Sequence, residues 1–402
     1  MKKIIKTLIT LLILTGLVFT LSFPSFAKEK DKKEDAEDLN EAIFASDDLG
    51  IDWQVEKELD LKYAERFKVS YYKDGYKLIR IANESRFLVV PEDKEIPEGL
   101  AEDIQILQLP LKDVYLAASA TVSILADLDE TACLKFTSFE KGKDWHKEEV
   151  QELMDSGDLI FVGKSTEPDF ETLVAENCSL ALENANILRS PETMEMLEKI
   201  DITVFIDESS YEEHPLGRSE WIYCYAAIFG KEELAEEIME EQIAYTENLN
   251  LEVEEHPSVI FFHVNSKGEV VVRNGQDYLS TMLEMAGGDY LFKDIDRSIS
   301  AKVNVPVEWE NFYEKAKDAD ILIFNASTHG DIENVAELIE MNPLFADMSA
   351  VQEGRVWCAT KTFYQDIVAH GKFMAELNKI FTTPQETWSE LETEYLFFVD
   401  AE

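Results

Sequence analysis

The chain has 402 residues, 46% of them hydrophobic, and its 82 acidic residues against 37 basic ones give a formal net charge of −45. A surface this negative repels phosphate backbones and anionic lipid headgroups, which argues against nucleic-acid binding. The length exceeds that of one ordinary hydrophobic core and indicates two lobes.

The first residues are typical of a secretory signal. A lysine-rich start precedes an apolar run from Leu8 to Leu21, and small residues lead up to Ala27. We therefore interpret residues 1–27 as a cleaved signal and residues 28–50 as a charged tether, which predicts an exported protein in the periplasm or at the outer face of the cell membrane. An uncleaved N-terminal anchor is the alternative. No cysteine follows the apolar run, so the usual bacterial lipid-attachment site is missing.

Residues 51–208 are predicted to form a first α/β lobe that begins with a β-rich segment over residues 63–91. In that segment, two runs that alternate with period two flank Lys73-Asp74-Gly75, which favours a β-hairpin. Beyond it, short apolar runs alternate with helical stretches, which indicates a parallel sheet covered on both faces. The predicted strands are Val114–Ala118, Leu159–Val162, Leu180–Leu182 and Ile202–Ile206. The predicted helices are Glu148–Asp155, Asp169–Glu176 and Pro191–Lys199.

Residues 209–250 are predicted to connect this lobe to a second one over residues 251–402. From Gly217 to Asn248 the residues are strong helix formers, interrupted only by Gly230, and a single helix of about 30 residues would span about 45 Å. The predicted elements of the second lobe are Ser258–Val264, Glu269–Arg273, Asp277–Ala286, Trp309–Lys317, Ile321–Asn325 and Arg355–Ala359. The predicted fold class is therefore α/β, with two doubly wound lobes joined by a single long α-helix and an extra N-terminal β-hairpin segment on the first lobe.

The sequence contains none of the common catalytic motifs and no spacing typical of a metal site. Its four cysteines (Cys133, Cys178, Cys224 and Cys358) lack the CxxC spacing of zinc and redox sites, and we interpret them as small buried hydrophobic residues. A disulfide is the alternative in an exported protein. Six scattered histidines include no pair at helical ligand spacing. We therefore predict no catalytic residue, no bound metal ion and no cofactor.

Several segments resemble one known family in the order in which they occur along the chain. Tyr211 begins the sequence YEEHPLGRSEWI, which is similar to the start of the connecting helix in ABC-importer binding proteins of the iron–siderophore, haem and cobalamin class. Three further segments resemble that family: Val162-Gly163 with Pro168-Asp169-Phe170-Glu171, the helix from Tyr278 to Gly288, and Ala350-Val351 with Gly354-Arg355-Val356-Trp357. The resemblance extends from about Val114 to the C-terminus and leaves out residues 52–109.

The resemblance implies a monomeric binding protein without catalytic turnover, which captures a metal chelate or tetrapyrrole and delivers it to an ABC permease with its ATPase. It also implies that each lobe offers one glutamate to arginines of the permease. Glu171 matches that position in the first lobe, and Glu310, with Glu308 as its rival, matches it in the second. In so acidic a chain, the alternative interpretation of either glutamate is a solvated helix face.

In this family the ligand lies in the cleft between the lobes, at the carboxyl ends of the strands. The loop residues expected to contact it are Lys164, Ser165, Thr166, Arg189, Ser209, Ser210, Tyr211, Thr328, His329, Lys361 and Tyr364. Aromatic rings would pack on the chelate, basic groups would meet its acidic oxygens, and His329 is the candidate ligand for an exposed iron or cobalt. Arg218 and Glu220, at the head of the connecting helix, are interpreted as structural.

Two other functions stay open at this level. A protein of the same fold could serve as a surface relay or sensor for haem or a corrinoid, which the missing lipid-attachment site favours. An enzyme on a related fold would need a convergent set of catalytic groups, and no motif supports one. The negative charge of the chain disfavours a highly anionic chelate, unless a local cluster such as Lys164, Arg189 and Lys361 outweighs it.

Overall fold

The computed structural model of the protein describes residues 44–142, 145–252, 256–296, 298, 300 and 302–399. The predicted signal and the first part of the predicted tether lie outside the described residues. The end of the tether lies inside them: Leu49 is 2% exposed and packs with Tyr72 and Tyr76. The tether predicted for residues 28–50 therefore ends before Leu49, because this segment closes an apolar cluster on the first β-sheet.

A five-stranded sheet, which we name the N-terminal sheet, precedes the first lobe. Its strands are β1 (Lys57–Glu58), β2 (Phe67–Tyr71), β3 (Lys77–Ile81), β4 (Arg86–Val90) and β5 (Ile104–Gln108), and they lie side by side in chain order. The predicted hairpin is confirmed, since β2 and β3 pair antiparallel across a turn in which Asp74 takes the left-handed conformation (φ 59°). Val69 and Ile79 pack against the first-lobe core, whereas Leu78 packs on the opposite face.

The first lobe is built on a wholly parallel five-stranded sheet, as predicted. Its strands are β6 (Val114–Leu116), β7 (Leu134–Thr137), β8 (Ile160–Phe161), β11 (Leu180–Asn184) and β12 (Thr203–Asp207), in the order β12-β11-β6-β7-β8. A small hairpin follows β8 and consists of β9 (Gly163–Lys164) and β10 (Glu167–Pro168). The helices are α1 (Thr121–Asp127), α2 (Glu148–Ser156), α3 (Phe170–Ala175) and α4 (Pro191–Lys199). Leu182 and Ala181 enter different apolar clusters, so both faces of the sheet are covered.

The connection between the lobes is helical but is not the single long helix that the sequence predicts. It consists of α5 (Pro215–Ser219), α6 (Trp221–Phe229) and α7 (Glu232–Glu247). Gly230 ends α6 in the left-handed conformation (φ 71°), which glycine adopts without steric cost. Helix α6 packs into the first-lobe core, whereas α7 packs against the helix His370–Thr382 of the second lobe. The connection therefore reaches both lobes, with a change of helix at Gly230.

The second lobe contains a mixed sheet. Its strands are β13 (Ser258–Val264), β14 (Val270–Arg273), β15 (Asp289–Tyr290), β16 (Asn304–Val307), β17 (Ile321–Asn325), β18 (Val356–Ala359) and β19 (Leu396–Phe398). The order is β16-β14-β13-β17-β18-β19, with β15 paired to β13; the central strands β13, β17 and β18 are parallel. The helices are α8 (Tyr278–Met285), α9 (Trp309–Ala316), α10 (Val335–Met341), α11 (Ser349–Gln352) and α12 (His370–Thr382).

All four cysteines lie within the described residues, and each is a buried free thiol, as predicted. Burial raises the pKa of the Cys133 thiol to about 12, which keeps it protonated near neutral pH. The disulfide alternative is therefore not realised. Among the helices of the described residues, none has the length and apolar character needed to cross a membrane.

Candidate ligand-binding cleft

A cavity of about 1030 Å³ lies between the two lobes. Loops that follow β11 and β12 form its wall in the first lobe, and loops that follow β17 and β18 contribute to its wall in the second. The segments Asn274–Tyr278 and Lys302–Asn304 complete the second wall, while Arg66 and Arg218 enter from outside either sheet. The carboxyl ends of parallel strands thus meet at the cavity, as expected for a ligand site in α/β folds.

Four of the residues predicted to contact a ligand line this cavity together. They are Arg189, Tyr211, Thr328 and Tyr364. Ser210, from the same predicted loop as Tyr211, also lines it, whereas Ser209 does not. Tyr364 accepts a hydrogen bond from the amide of Asn325 (3.1 Å), which fixes its hydroxyl at the wall. The loops after β11, β12, β17 and β18 therefore each contribute a predicted residue to the cavity wall.

Five other predicted residues do not line the cavity. They are Lys164, Ser165, Thr166, His329 and Lys361. The first three belong to the β9–β10 hairpin, where the Thr166 carbonyl accepts a hydrogen bond from the Thr193 hydroxyl (2.6 Å) and ties the hairpin to α4. His329 is exposed, and the backbone N–H of Lys361 is bonded to Asp331 (3.1 Å). Of the basic cluster Lys164, Arg189 and Lys361, only Arg189 thus lies at the cavity.

Arg218 lines the cavity as a buried cation. Its side chain is 8% exposed, and its guanidinium carbon lies 3.7 Å from the ring centre of Tyr278. No carboxylate among the described residues forms an ion pair with it, and its Nε has no hydrogen-bond partner there. A buried charge is costly unless it is paired. Arg218 is therefore suited to bind an anionic group that enters the cavity.

A second buried arginine, Arg273, is fully compensated. Its guanidinium forms an ion pair with Asp277 (2.5 Å) and donates a hydrogen bond to Asn304 (2.7 Å). The carboxylate of Asp277 also accepts the backbone N–H of Leu279 at the start of α8 (3.2 Å). Arg273 therefore braces the second-lobe wall, and its charge is already satisfied without a ligand.

Three further cations line the cavity. Arg66 is paired with Glu208 (2.6 Å), whereas Arg189 and Lys302 are exposed and form no ion pair with a carboxylate of the described residues. The five basic residues of the lining face three acidic ones, and Asp277 is already paired. The cavity is therefore locally basic in a chain of net charge −45.

His263, which the sequence analysis does not single out, lies in the wall and is 8% exposed. Burial lowers its pKa to about 4, and the charge of Arg273 and the neighbouring His329 act in the same direction. The imidazole is thus neutral at pH 7 and can accept a hydrogen bond or coordinate a metal of a bound chelate. No three His, Cys, Asp or Glu side chains of the described residues are grouped to hold a bare metal ion.

Residues 116–361 match the family of periplasmic binding proteins. The chain belongs to this family. A relative is an uncharacterized lipoprotein of Methanocaldococcus jannaschii, 25% identical over 328 residues that cover 76% of this chain and 77% of the relative. A solved structure of similar fold is the periplasmic haem-binding protein HutB of Vibrio cholerae (TM-score 0.55, 15% identity, 68% of this chain and 99% of that one). Another is an ABC-type Fe³⁺-hydroxamate transport system of Saccharomonospora viridis (TM-score 0.52, 17% identity, 68% and 94%).

The comparison confirms the family that the resemblance named and the two-lobed α/β fold that it implied. The matched region of this periplasmic binding protein begins at residue 116, so the N-terminal sheet and Arg66 lie outside it. Sequence reasoning missed Arg66, Arg218, Arg273, Tyr278 and Lys302 as cavity residues. Arg218 and Tyr278 lie in the two segments that resemble the family, so their place in these segments could have indicated that they line the cavity. Arg66 has no such signal, because only the fold brings it to the cleft.

Proposed function

We propose that this periplasmic binding protein captures a metal chelate between its lobes and delivers it to an ABC permease without chemical turnover. The chelate is an iron–siderophore, haem or corrinoid complex. The observation that carries the proposal is Arg218, a buried cation that lines a cavity of about 1030 Å³ and has no carboxylate partner among the described residues. A cavity of this size matches a ligand larger than an amino acid or a sugar. We propose that the protein acts outside the cytoplasmic membrane, because the family is one of periplasmic binding proteins and two relatives are named as lipoproteins.

The chemistry of the lining favours a ligand that has both a flat face and acidic groups. Tyr278, Tyr364 and Tyr211 offer aromatic surface. Arg218, Arg189 and Lys302 offer positive charge, and none of the three forms an ion pair with a carboxylate of the described residues. Haem combines a planar ring with two carboxylates, and a ferric catecholate combines aromatic rings with negative charge. Both meet these requirements better than a neutral hydroxamate complex. The local charge of the cavity thereby outweighs the repulsion expected from the net charge of the chain.

We propose Glu171 and Glu310 as the contacts with the permease. Each is exposed, and each is the second residue of a short helix, α3 in the first lobe and α9 in the second. A carboxylate in this position can accept a bidentate contact from an arginine of the partner. One such group on each lobe would let the permease sense both lobes together.

Titration of intrinsic tryptophan fluorescence of the purified chain tests capture. The probes are haem, cobalamin, a ferric catecholate and a ferric hydroxamate, with Fe³⁺ and Zn²⁺ as controls. We expect saturable quenching by one chelate and no response to either bare ion. No change of fluorescence with any chelate would contradict the proposal. A response to a bare ion alone would indicate that the cleft is a metal-ion site instead.

The docking role needs a separate test in vesicles that contain the cognate permease and ATPase. The variant Glu171→Ala with Glu310→Ala is expected to bind the ligand like the wild type but to lose stimulation of ATP hydrolysis. Glu237→Ala, which removes an exposed carboxylate from α7, is the matched control and should stimulate normally. Full stimulation by the double variant would rule out these two glutamates as the permease contacts.

A further inference from the structure

Residues 62–66, which lie between β1 and β2 of the N-terminal sheet, are bonded to the start of the connection between the lobes. The carboxylate of Glu220 accepts the backbone N–H groups of Lys62 (3.0 Å), Tyr63 (2.7 Å) and Ala64 (2.6 Å). These bonds confirm the structural role predicted for Glu220. Burial raises the pKa of this carboxyl above its ordinary value, while the three N–H donors act against that rise. The chain segment that precedes β2 is thereby fixed at the junction of α5 and α6.

Glu212 extends the same attachment by two residues. Its carboxylate accepts the backbone N–H groups of Glu65 (2.9 Å) and Arg66 (3.0 Å), and the indole N–H of Trp221 (2.9 Å). Five consecutive backbone N–H groups are thus satisfied by two glutamates of the connecting region. The backbone of Arg66 is therefore fixed, and this fixes the position from which its side chain extends.

Close packing supports these hydrogen bonds. A Cβ atom added at Gly217 would lie 2.8 Å from the carbonyl oxygen of Tyr63, so only glycine permits this approach. The ring of Tyr63 stacks on His214, with ring centres 4.6 Å apart. The N-terminal sheet and the connection between the lobes therefore form one packed unit at this point.

The side chain of Arg66 emerges from this attachment into the cleft. Its Nε and Nη2 both donate to one oxygen of the buried Glu208 (3.1 and 2.6 Å). The side chain is 27% exposed, lines the cavity, and lies 5.7 Å from the ring centre of Tyr211, another lining residue. Its Nη1 donates no hydrogen bond to an acceptor of the described residues. One edge of the guanidinium is thus held by Glu208, and the remaining N–H groups are available to a ligand.

We propose that Arg66 is a specificity-determining residue, which binds an acidic group of the ligand beside Tyr211. The loop between β1 and β2 of the N-terminal sheet thereby adds one residue to the site, in addition to those of the two lobes of the family fold. The inference rests on the proposed function, because it assigns a ligand contact within the same cleft. A guanidinium that is oriented by one carboxylate binds a second acidic group with little loss of side-chain entropy.

The test must separate ligand contact from the pairing of Arg66 with Glu208. Affinities of the purified chain are measured for haem, haem dimethyl ester, a ferric tris-catecholate and a ferric tris-hydroxamate, with thermal unfolding of each variant in parallel. Arg66→Ala should weaken binding of the acidic probe that the wild type accepts by about tenfold. It should change binding of the matching ester or neutral probe little. Glu208→Gln keeps the guanidinium and leaves it an oxygen acceptor, so its affinity should fall less than that of Arg66→Ala, although its unfolding temperature falls.

Arg80→Ala is the matched control, since Arg80 lies in β3 of the same sheet and does not line the cavity. It should bind every probe like the wild type. Wild-type affinity of Arg66→Ala, or an equal loss in Glu208→Gln, would overturn the inference and leave Arg66 with a structural role only. Binding of the neutral hydroxamate alone would also overturn it, while the proposed function would stand. Failure of the wild type to bind any probe would overturn the proposed function together with this inference.

Discussion

The guanidinium of Arg218 lies on the ring of Tyr278, 3.7 Å from its centre, and thereby joins the start of the connecting helices to the first helix of the second lobe. Tyr278 stacks in turn on His370 at the start of α12, with ring centres 5.2 Å apart. Burial, aided by the charge of Arg218, lowers the pKa of His370 to about 3, so this ring is neutral at pH 7. Stacking on Tyr278 therefore holds Arg218 in place. Because no carboxylate of the described residues forms an ion pair with Arg218, its positive charge can interact with a ligand in the cavity.

We expect Arg218→Gln to weaken ligand binding while it leaves the unliganded protein as stable as the wild type or more so. The reason is that the substitution removes a buried charge that has no carboxylate partner among the described residues. The loss of affinity should be about ten- to a hundredfold. Calorimetric titration and urea unfolding measure the two effects. Reduced stability with unchanged affinity would instead assign Arg218 a structural role.

Arg273→Gln should behave in the opposite way, although both arginines line the same cavity. It leaves Asp277 buried without its ion-pair partner, which is expected to cost about 3 kcal/mol of unfolding free energy. Urea unfolding of the two arginine variants side by side checks this contrast. Equal stability of the two variants would show that the partner carboxylate does not distinguish them.

Tyr278→Phe should bind the ligand like the wild type, because the phenyl ring keeps the stack between Arg218 and His370. Tyr278→Ala removes the ring from a site that is 8% exposed and should cost about 3 kcal/mol of stability together with ligand affinity. Paired titration and thermal unfolding of the two variants give the answer. Loss of affinity in the phenylalanine variant would assign the function to the hydroxyl group rather than to the ring.

Glu183 in β11 should make the stability of the protein fall as the pH rises. Burial raises the pKa of its carboxyl from 4.5 to about 8, so the folded protein keeps a proton that the unfolded chain releases near pH 4.5. The contribution of this group is complete below pH 4.5 and is lost as the pH rises towards 8, by about 1.4 kcal/mol for each pKa unit. Urea midpoints at pH 5, 7 and 9 should therefore decline less for Glu183→Gln than for the wild type. Parallel curves would contradict this, and Glu237→Gln, an exposed position, is the control.

A buried ion-pair network between the two lobes should stabilise the contact between them. Asp366 of the second lobe is 2% exposed and lies 3.2 Å from His146 and 3.3 Å from Lys147 of the first. Burial alone would raise the pKa of Asp366, but the hydrogen bond with His146 and the charge of Lys147 hold it well below its ordinary value. Asp366→Asn should cost about 3 kcal/mol in urea unfolding.

The matched control for this network is Glu353→Gln, which weakens the ion pair of an exposed glutamate with Arg355. Its unfolding free energy should stay within about 0.5 kcal/mol of the wild type. A loss as small as this in Asp366→Asn would show that the network does not stabilise the contact between the lobes.

Much of the fold follows from periodicity and turn chemistry. The strands predicted at Ser258–Val264 and Ile321–Asn325 and the helix at Pro191–Lys199 have those bounds in the structure, because their apolar runs end at residues that break the pattern. The prediction of a single connecting helix was wrong. The pattern of helix-forming residues continues on both sides of Gly230, but the backbone of Gly230 takes the left-handed conformation and ends α6. Strand β7 was missed because its apolar run is too short to stand out.

The site was less accessible to sequence reasoning than the fold. Loop residues after parallel strands, such as Arg189, Tyr211 and Thr328, could be placed at the cleft because strand ends converge there. Lys164 follows a strand as well, but it belongs to a hairpin that does not line the cleft. Arg66 lies 142 residues before its partner Glu208, and only the tertiary structure brings the two together.

Native mass spectrometry of the purified chain with an equimolar mixture of haem, cobalamin, a ferric catecholate and a ferric hydroxamate shows directly whether the cleft binds an acidic chelate. Fe³⁺ and Zn²⁺ are run alone in parallel. We expect a complex of one chain with one chelate of acidic character, which is strongly reduced in Arg218→Gln, and no adduct with either bare ion. No chelate complex, or one that is as abundant in Arg218→Gln as in the wild type, would contradict the proposed function, and so would adducts with the bare ions alone.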